Sequence, residues 1–124
     1  MTTLRRAAAL AALCLAAASP AQAGGDAASG QQLYEARCGG CHSVDDHRVG
    51  PAHRGVFGRK AGLQAGFAYS AALKQSAIVW NEKTLDAWLA EPEKLIPGQG
   101  MNVQVGDAQA RANIVAYLRT LKAR

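Results

Sequence analysis

Cysteine is scarce in this 124-residue chain, with three in all, at positions 14, 38 and 41. Only one C-x-x-C pair exists, so a zinc site built from two such pairs is excluded. Nothing around Cys38 and Cys41 reads as a βαβ unit, which argues against a thioredoxin-like redox pair. Aromatic residues make up 6% of the chain and do not interleave with basic ones, so a base-stacking, nucleic-acid-binding surface is not indicated. No apolar run approaches the roughly 20 residues of a membrane-spanning helix. No segment alternates convincingly as a strand, and there is no internal repeat.

What is present begins with an export signal. Arg5-Arg6 form a short basic region, Ala7 to Ala18 an apolar stretch of twelve residues, and Ala21-Gln22-Ala23 an A-x-A cleavage site. Cys14 follows Leu13, where a lipoprotein signal would want a small residue, so it is not read as a lipid anchor. Residues 1–23 are expected to be a cleaved signal peptide and 24–124 one small domain, placed in the periplasm without stable membrane insertion. Losing Arg5 and Arg6 leaves twelve basic against nine acidic residues. That mild excess suits docking onto acidic protein surfaces, where charge mainly sets the encounter rate.

In the expected mature chain only Cys38 and Cys41 remain, within Cys38-Gly39-Gly40-Cys41-His42. In an exported protein, C-x-x-C-H reads as a covalent c-type haem attachment site. The two sulfurs form thioethers to the haem vinyl groups, and the adjoining imidazole ligates the iron from one face. Both cysteines are then consumed, and no structural disulfide is left. A covalently held haem also supplies the apolar centre that so small a domain needs.

Helical signals surround this motif. Asp26 caps a first helix running to about Gly39, with Leu33 and Tyr34 on its inner side. From Ser43 to Gly66 the glycines at 50, 55, 58, 62 and 66 mark a loop that wraps something. Ser70 caps a short helix to about Gln75, and Thr84 another from Leu85 to Ala90, limited by Pro92. Pro97-Gly98-Gln99-Gly100 is a turn-rich approach to Met101. Asp107 caps the last helix, where Ala110, Ile114, Tyr117, Leu118 and Leu121 recur on one face. The class is all-α.

Taken together these features resemble the class I cytochromes c, the small soluble monohaem type of bacteria and mitochondria. The resemblance runs from about Gly25 to the C-terminus. Beyond the haem motif it rests on Val49-Gly50-Pro51, the run from Gly55 to Gly62, Gly66-Phe67-Ala68-Tyr69-Ser70, Trp80, Ile96-Pro97-Gly98 before Met101, and Ile114 to Leu118. It implies four to five short helices wrapped around one haem c attached through Cys38 and Cys41.

The resemblance also implies site roles. Met101 falls where the family places the second axial ligand opposite His42, and such soft thioether ligation raises the reduction potential; its plainer reading is a gap-filling side chain. Pro51 stands where a carbonyl accepts the proximal imidazole N–H and fixes its orientation. Arg59, Tyr69 and Trp80 match the haem-propionate partners, since a partly buried carboxylate requires charge-assisted donors. Gly30, Tyr34 and Tyr117 match the contact between first and last helices.

Departures from the family pattern are expected to matter. His53 replaces a leucine and is read as a replacement ligand, a modulator of potential, or a packing residue, with ligation disfavoured by its place on the proximal side. His47 reads as a loop-bracing hydrogen bonder. Trp88 replaces a tyrosine near the methionine ligand, either donating toward its sulfur or a water, or filling space. Gln99-Gly100 replaces Thr-Lys, and Glu93 stands at a frequent lysine position, so the docking rim is poor in lysine.

The expected function is electron carriage by a monomer, with iron cycling between Fe(III) and Fe(II). Donors and acceptors would be a quinol-oxidising complex, a terminal oxidase, or a periplasmic dehydrogenase or reductase. The alternatives are a peroxidase-like or gas-binding enzyme with an open sixth site, and a dedicated haem subunit of one dehydrogenase complex.

Overall fold

The computed structural model describes residues 24–124; the expected signal peptide and its cleavage after Ala23 lie outside them. Five helices follow in order: α1 (Ala27–Arg37), α2 (Ala71–Gln75), α3 (Glu82–Ala90), α4 (Pro92–Leu95) and α5 (Ala108–Thr120). Among the described residues the one β feature is an isolated antiparallel bridge between Lys60 and Val79.

Each longer helix starts on a side chain that satisfies a free backbone N–H. Asp26 accepts from Ser29 N at 2.6 Å, Ser70 from Leu73 N at 3.3 Å, and Asp107 from Ala110 N at 2.6 Å. The expected cap of α3 needs correction. Asn81 is the N-cap, its Oδ1 accepting from Thr84 N at 2.9 Å while Asn81 N donates to Thr84 Oγ1 at 2.8 Å. Thr84 therefore closes a capping box from the third position. Pro92 does end α3, but it also opens α4 as that helix's first residue, where its missing N–H costs nothing.

The frame is the crossing of α1 and α5. A Cβ on Gly30 would lie 1.9 Å from the Asn113 carbonyl oxygen, so only glycine lets the two backbones approach this closely. The Tyr34 and Tyr117 rings pack beside it, with centroids 5.2 Å apart. The inner face of α5 buries Ala110, Ile114, Val115 and Leu118, and Leu121 just beyond it is buried too. Arg111 ties α5 to α3 through Asp86 at 2.8 Å and holds the Val105 and Gly106 carbonyls, each at 3.0 Å. The long loop over residues 43–66 and the segment 96–105 close the remaining sides. Gly55, Gly58, Gly62 and Gly66 all adopt left-handed backbone there.

Candidate functional site

The C-x-x-C-H motif leaves α1 as a tight turn. Cys38 is the C-cap residue, its N–H bonded to the Tyr34 carbonyl. Cys41 N and His42 N then both donate to the Cys38 carbonyl, at 3.0 and 2.8 Å. Both thiols are unpaired, Cys38 partly buried and Cys41 exposed. Burial pushes the Cys38 thiol up, against the opposing pull of Arg37.

His42 is buried, and its Nδ1 lies 2.8 Å from the Pro51 carbonyl oxygen. A carbonyl only accepts, so Nδ1 carries the hydrogen and the lone pair resides on Nε2. Burial lowers the His42 pKa and keeps the ring neutral, only partly offset by the Pro51 bond. Gly50 is required for a reason that its place in the sequence does not reveal: a Cβ there would lie 2.1 Å from His42 Cε1. The backbone of the long loop thus passes directly over the imidazole.

One cavity of about 340 Å³ adjoins this motif. Every expected site residue lines it: Cys38, Cys41, His42, Pro51, Arg59, Tyr69, Trp80, Trp88 and Met101. Trp80 and Trp88 pack on each other at 5.4 Å between ring centroids. The Arg59 guanidinium is partly buried, and its Nη1 donates to the Arg54 carbonyl at 2.9 Å. Burial lowers its pKa, and it raises that of Tyr69 more than the neighbouring Gln64 backbone and Arg59 lower it. No carboxylate neutralises Arg59 in this wall, so its charge suits an anionic substituent of a bound group.

The three remaining histidine and tyrosine readings resolve as follows. His53 stacks on His42 with centroids 4.1 Å apart, and its Nδ1 is hydrogen-bonded to the Tyr34 hydroxyl at 2.9 Å. Burial, with the nearby Arg59 charge adding to it, pushes its pKa down to about 3. It packs on the imidazole of His42, as the packing reading expects. His47 braces the loop with both nitrogens, donating from Nε2 to the Ala65 carbonyl at 2.8 Å and accepting the Ala52 N–H at Nδ1, 3.0 Å away. The Tyr34 hydroxyl is held protonated by burial.

The sequence did not mark Ile114, Leu118 and Val105 as cavity residues, although all three line it. For Ile114 and Leu118 the signal was there, in the apolar stripe of α5. Val105 carries none, because its burial depends on a bond from its N–H to the Leu89 carbonyl, 2.8 Å away.

The donor set fits a covalently tethered haem: two unpaired thiols at the rim, a neutral imidazole with a directed lone pair, an apolar cavity, and one partly buried cation. Among the described residues no group of three or more His, Cys, Asp and Glu side chains could hold a bare metal ion. No helix of these residues is long and apolar enough to cross a membrane.

Comparison with known proteins agrees. The protein-family profile for cytochrome c matches residues 27–122. Cytochrome c of Nigella damascena is 41% identical over 99 residues, covering 77% of this chain and 89% of the relative. Cytochrome c of Euglena viridis is 43% identical over 101 residues, covering 79% of this chain and 99% of the relative. Among solved structures, cytochrome cH from Methylobacterium extorquens superposes with a TM-score of 0.74 at 41% identity, over 77% of this chain and 99% of that one. The chain therefore belongs to the class I cytochrome c family, carrying one haem c on Cys38 and Cys41 and serving as an electron carrier rather than an enzyme.

Proposed function

We propose that residues 24–124 form a periplasmic carrier domain, released by cleavage after Ala23, in which His42 and Met101 are the two axial iron ligands. The observation that carries this reading is the 2.8 Å contact from His42 Nδ1 to the Pro51 carbonyl. It fixes the tautomer that leaves Nε2 as the metal-binding atom, and Met101 lines the same cavity. Bound haem supplies a one-electron Fe(III)/Fe(II) couple. The residues of the chain do the rest: Pro51 orients the imidazole, and Trp80 and Trp88 exclude water. Arg59, Tyr69 and Trp80 offer N–H and O–H donors to the haem propionates.

With His42 and Met101 both holding the iron, the chain would leave no open position for a substrate, and one-electron chemistry would need little rearrangement of these residues. The partners are a quinol-oxidising complex, a terminal oxidase, or a periplasmic dehydrogenase or reductase, met by a monomer through small, transient interfaces. The test is an absorption spectrum of the holoprotein, oxidised and reduced. Low-spin bands with a weak far-red sulfur-to-iron band, lost in Met101→Ala, are expected. A high-spin ferric form that takes up cyanide at once would overturn the ligand assignment.

A further inference from the structure

The segment that brings Met101 to the cavity has little rigidity of its own. Gly98 adopts a φ of +87° and Asn102 one of 54°, the single non-glycine residue with positive φ among those described. Gly100 lies between them, so backbone propensity does not hold the turn. A side chain does. Gln99 is buried, with 6% of its surface exposed, and its amide makes four hydrogen bonds. Oε1 accepts from Met101 N at 2.7 Å and from Asn102 N at 2.9 Å. Nε2 donates to Asn102 Oδ1 at 2.7 Å and to Glu93 Oε2 at 3.1 Å. Two acceptor sites and two N–H groups are the full capacity of an amide. Glu93 completes the arrangement from α4, its Oε1 accepting from Gly98 N at 2.9 Å.

We propose that Gln99, anchored by Glu93, is the positioning residue that holds Met101 and so sets how readily the iron's sixth position opens. This rests on the reading of Met101 as axial ligand. The amide grips the Met101 backbone directly. It also neutralises the polar side chain of the left-handed Asn102, whose strain would otherwise favour another turn. Without the amide, the partly buried Met101 N–H and the Asn102 N–H lose their protein acceptor, a cost concentrated on these few residues. Both Gln99 and Glu93 are places where this chain departs from the common family residues. The clamp is thus a property of this sequence.

The experiment compares holoprotein variants by the far-red band and by the rate of imidazole uptake. Gln99→Leu keeps the volume and removes all four bonds. Glu93→Gln keeps one acceptor oxygen and turns an N–H group toward another. Asn81→Ala, which loses the cap of α3 away from this turn, is the control for general loosening. Gln99→Leu is expected to weaken the band and to speed imidazole uptake about tenfold, with Glu93→Gln intermediate and Asn81→Ala close to the parent.

Unchanged uptake and band in Gln99→Leu would overturn the proposal while leaving the ligand reading intact. Equal acceleration by Asn81→Ala, at matched loss of stability, would overturn it too. A parent without the far-red band would instead remove Met101 as the ligand, and this proposal with it. Should Gln99→Leu fail to fold, Glu93→Gln on the exposed surface decides by the same two readings.

Discussion

The α1–α5 crossing and the two loops that enclose the cavity are built on opposite plans. At the crossing, backbone meets backbone: Gly25 and Gly30 bring α1 against the Ala112 and Asn113 carbonyls with no room for a Cβ at either position. In the loops, particular side chains hold the backbone: His47 braces residues 52 and 65, His42 holds the Pro51 carbonyl, and Gln99 holds residues 101 and 102. A close-packed crossing resists any added volume and tolerates loss of hydrogen bonds at its edges. A side-chain-braced loop does the reverse, keeping its stability while losing its geometry. Stability and haem chemistry are therefore carried by different parts of one small domain.

The sharpest way to break that division is to add one methyl group to each region. Gly30→Ala places a Cβ 1.9 Å from a main-chain oxygen that cannot swing away. Denaturant unfolding of the holoprotein should show a loss of about 3 kcal/mol, with the ferric spectrum of the remaining folded protein unchanged. Gly50→Ala makes a comparable clash at 2.1 Å, but with the His42 ring. Its stability loss should be nearer 1.5 kcal/mol, while the ferric spectrum gains a high-spin fraction as the imidazole is pushed off the Pro51 carbonyl. Identical spectra in the two variants would collapse the distinction.

The smallest effect concerns pH. The Ser29 backbone and side chain hold the Asp26 carboxyl below its ordinary value of 3.8. A lowered carboxylate pKa adds stability that is present above the unfolded value and is lost as pH falls through the folded one. Asparagine caps a helix about as well as aspartate but does not titrate. Asp26→Asn should match the parent at pH 7 and show a flatter decline of unfolding midpoint below about pH 4. A steeper decline in the variant would mean that the cap bond is not what lowers the carboxyl.

How far the sequence could be read follows the same division. The starts of α1, α2 and α5 were legible, because Asp26, Ser70 and Asp107 act within three residues of themselves, whereas α1 stops at Arg37, two residues short of the expected Gly39. The start of α3 was misplaced by three residues, since Asn81 and Thr84 are both capable caps and only the reciprocal bonding separates their roles. The helix α4 was hidden behind Pro92, which signals an end as readily as a beginning. The attachment motif was legible as local chemistry, and the residue set around the cavity followed from family resemblance. The stacking of His53 on His42, the steric demand at Gly50 and the four bonds of Gln99 were not legible. The first two depend on where the loop after the haem motif turns back onto His42; the bonds of Gln99 are local, within six residues, but depend on a turn conformation that no propensity marks.

The contact between Asp26 N and Asn113 Oδ1 joins positions 87 apart in the chain. An isolated helix of 11 residues is shorter than the roughly 12–15 that water tolerates, so α1 has little existence before α5 arrives to close the loop. During synthesis the first helix is thus a late structure despite being made early. Cys38, which caps its end and is partly buried once folding is complete, stays reachable throughout that delay. The turn that carries the attachment motif is thus anchored, through α1, to the opposite end of the domain.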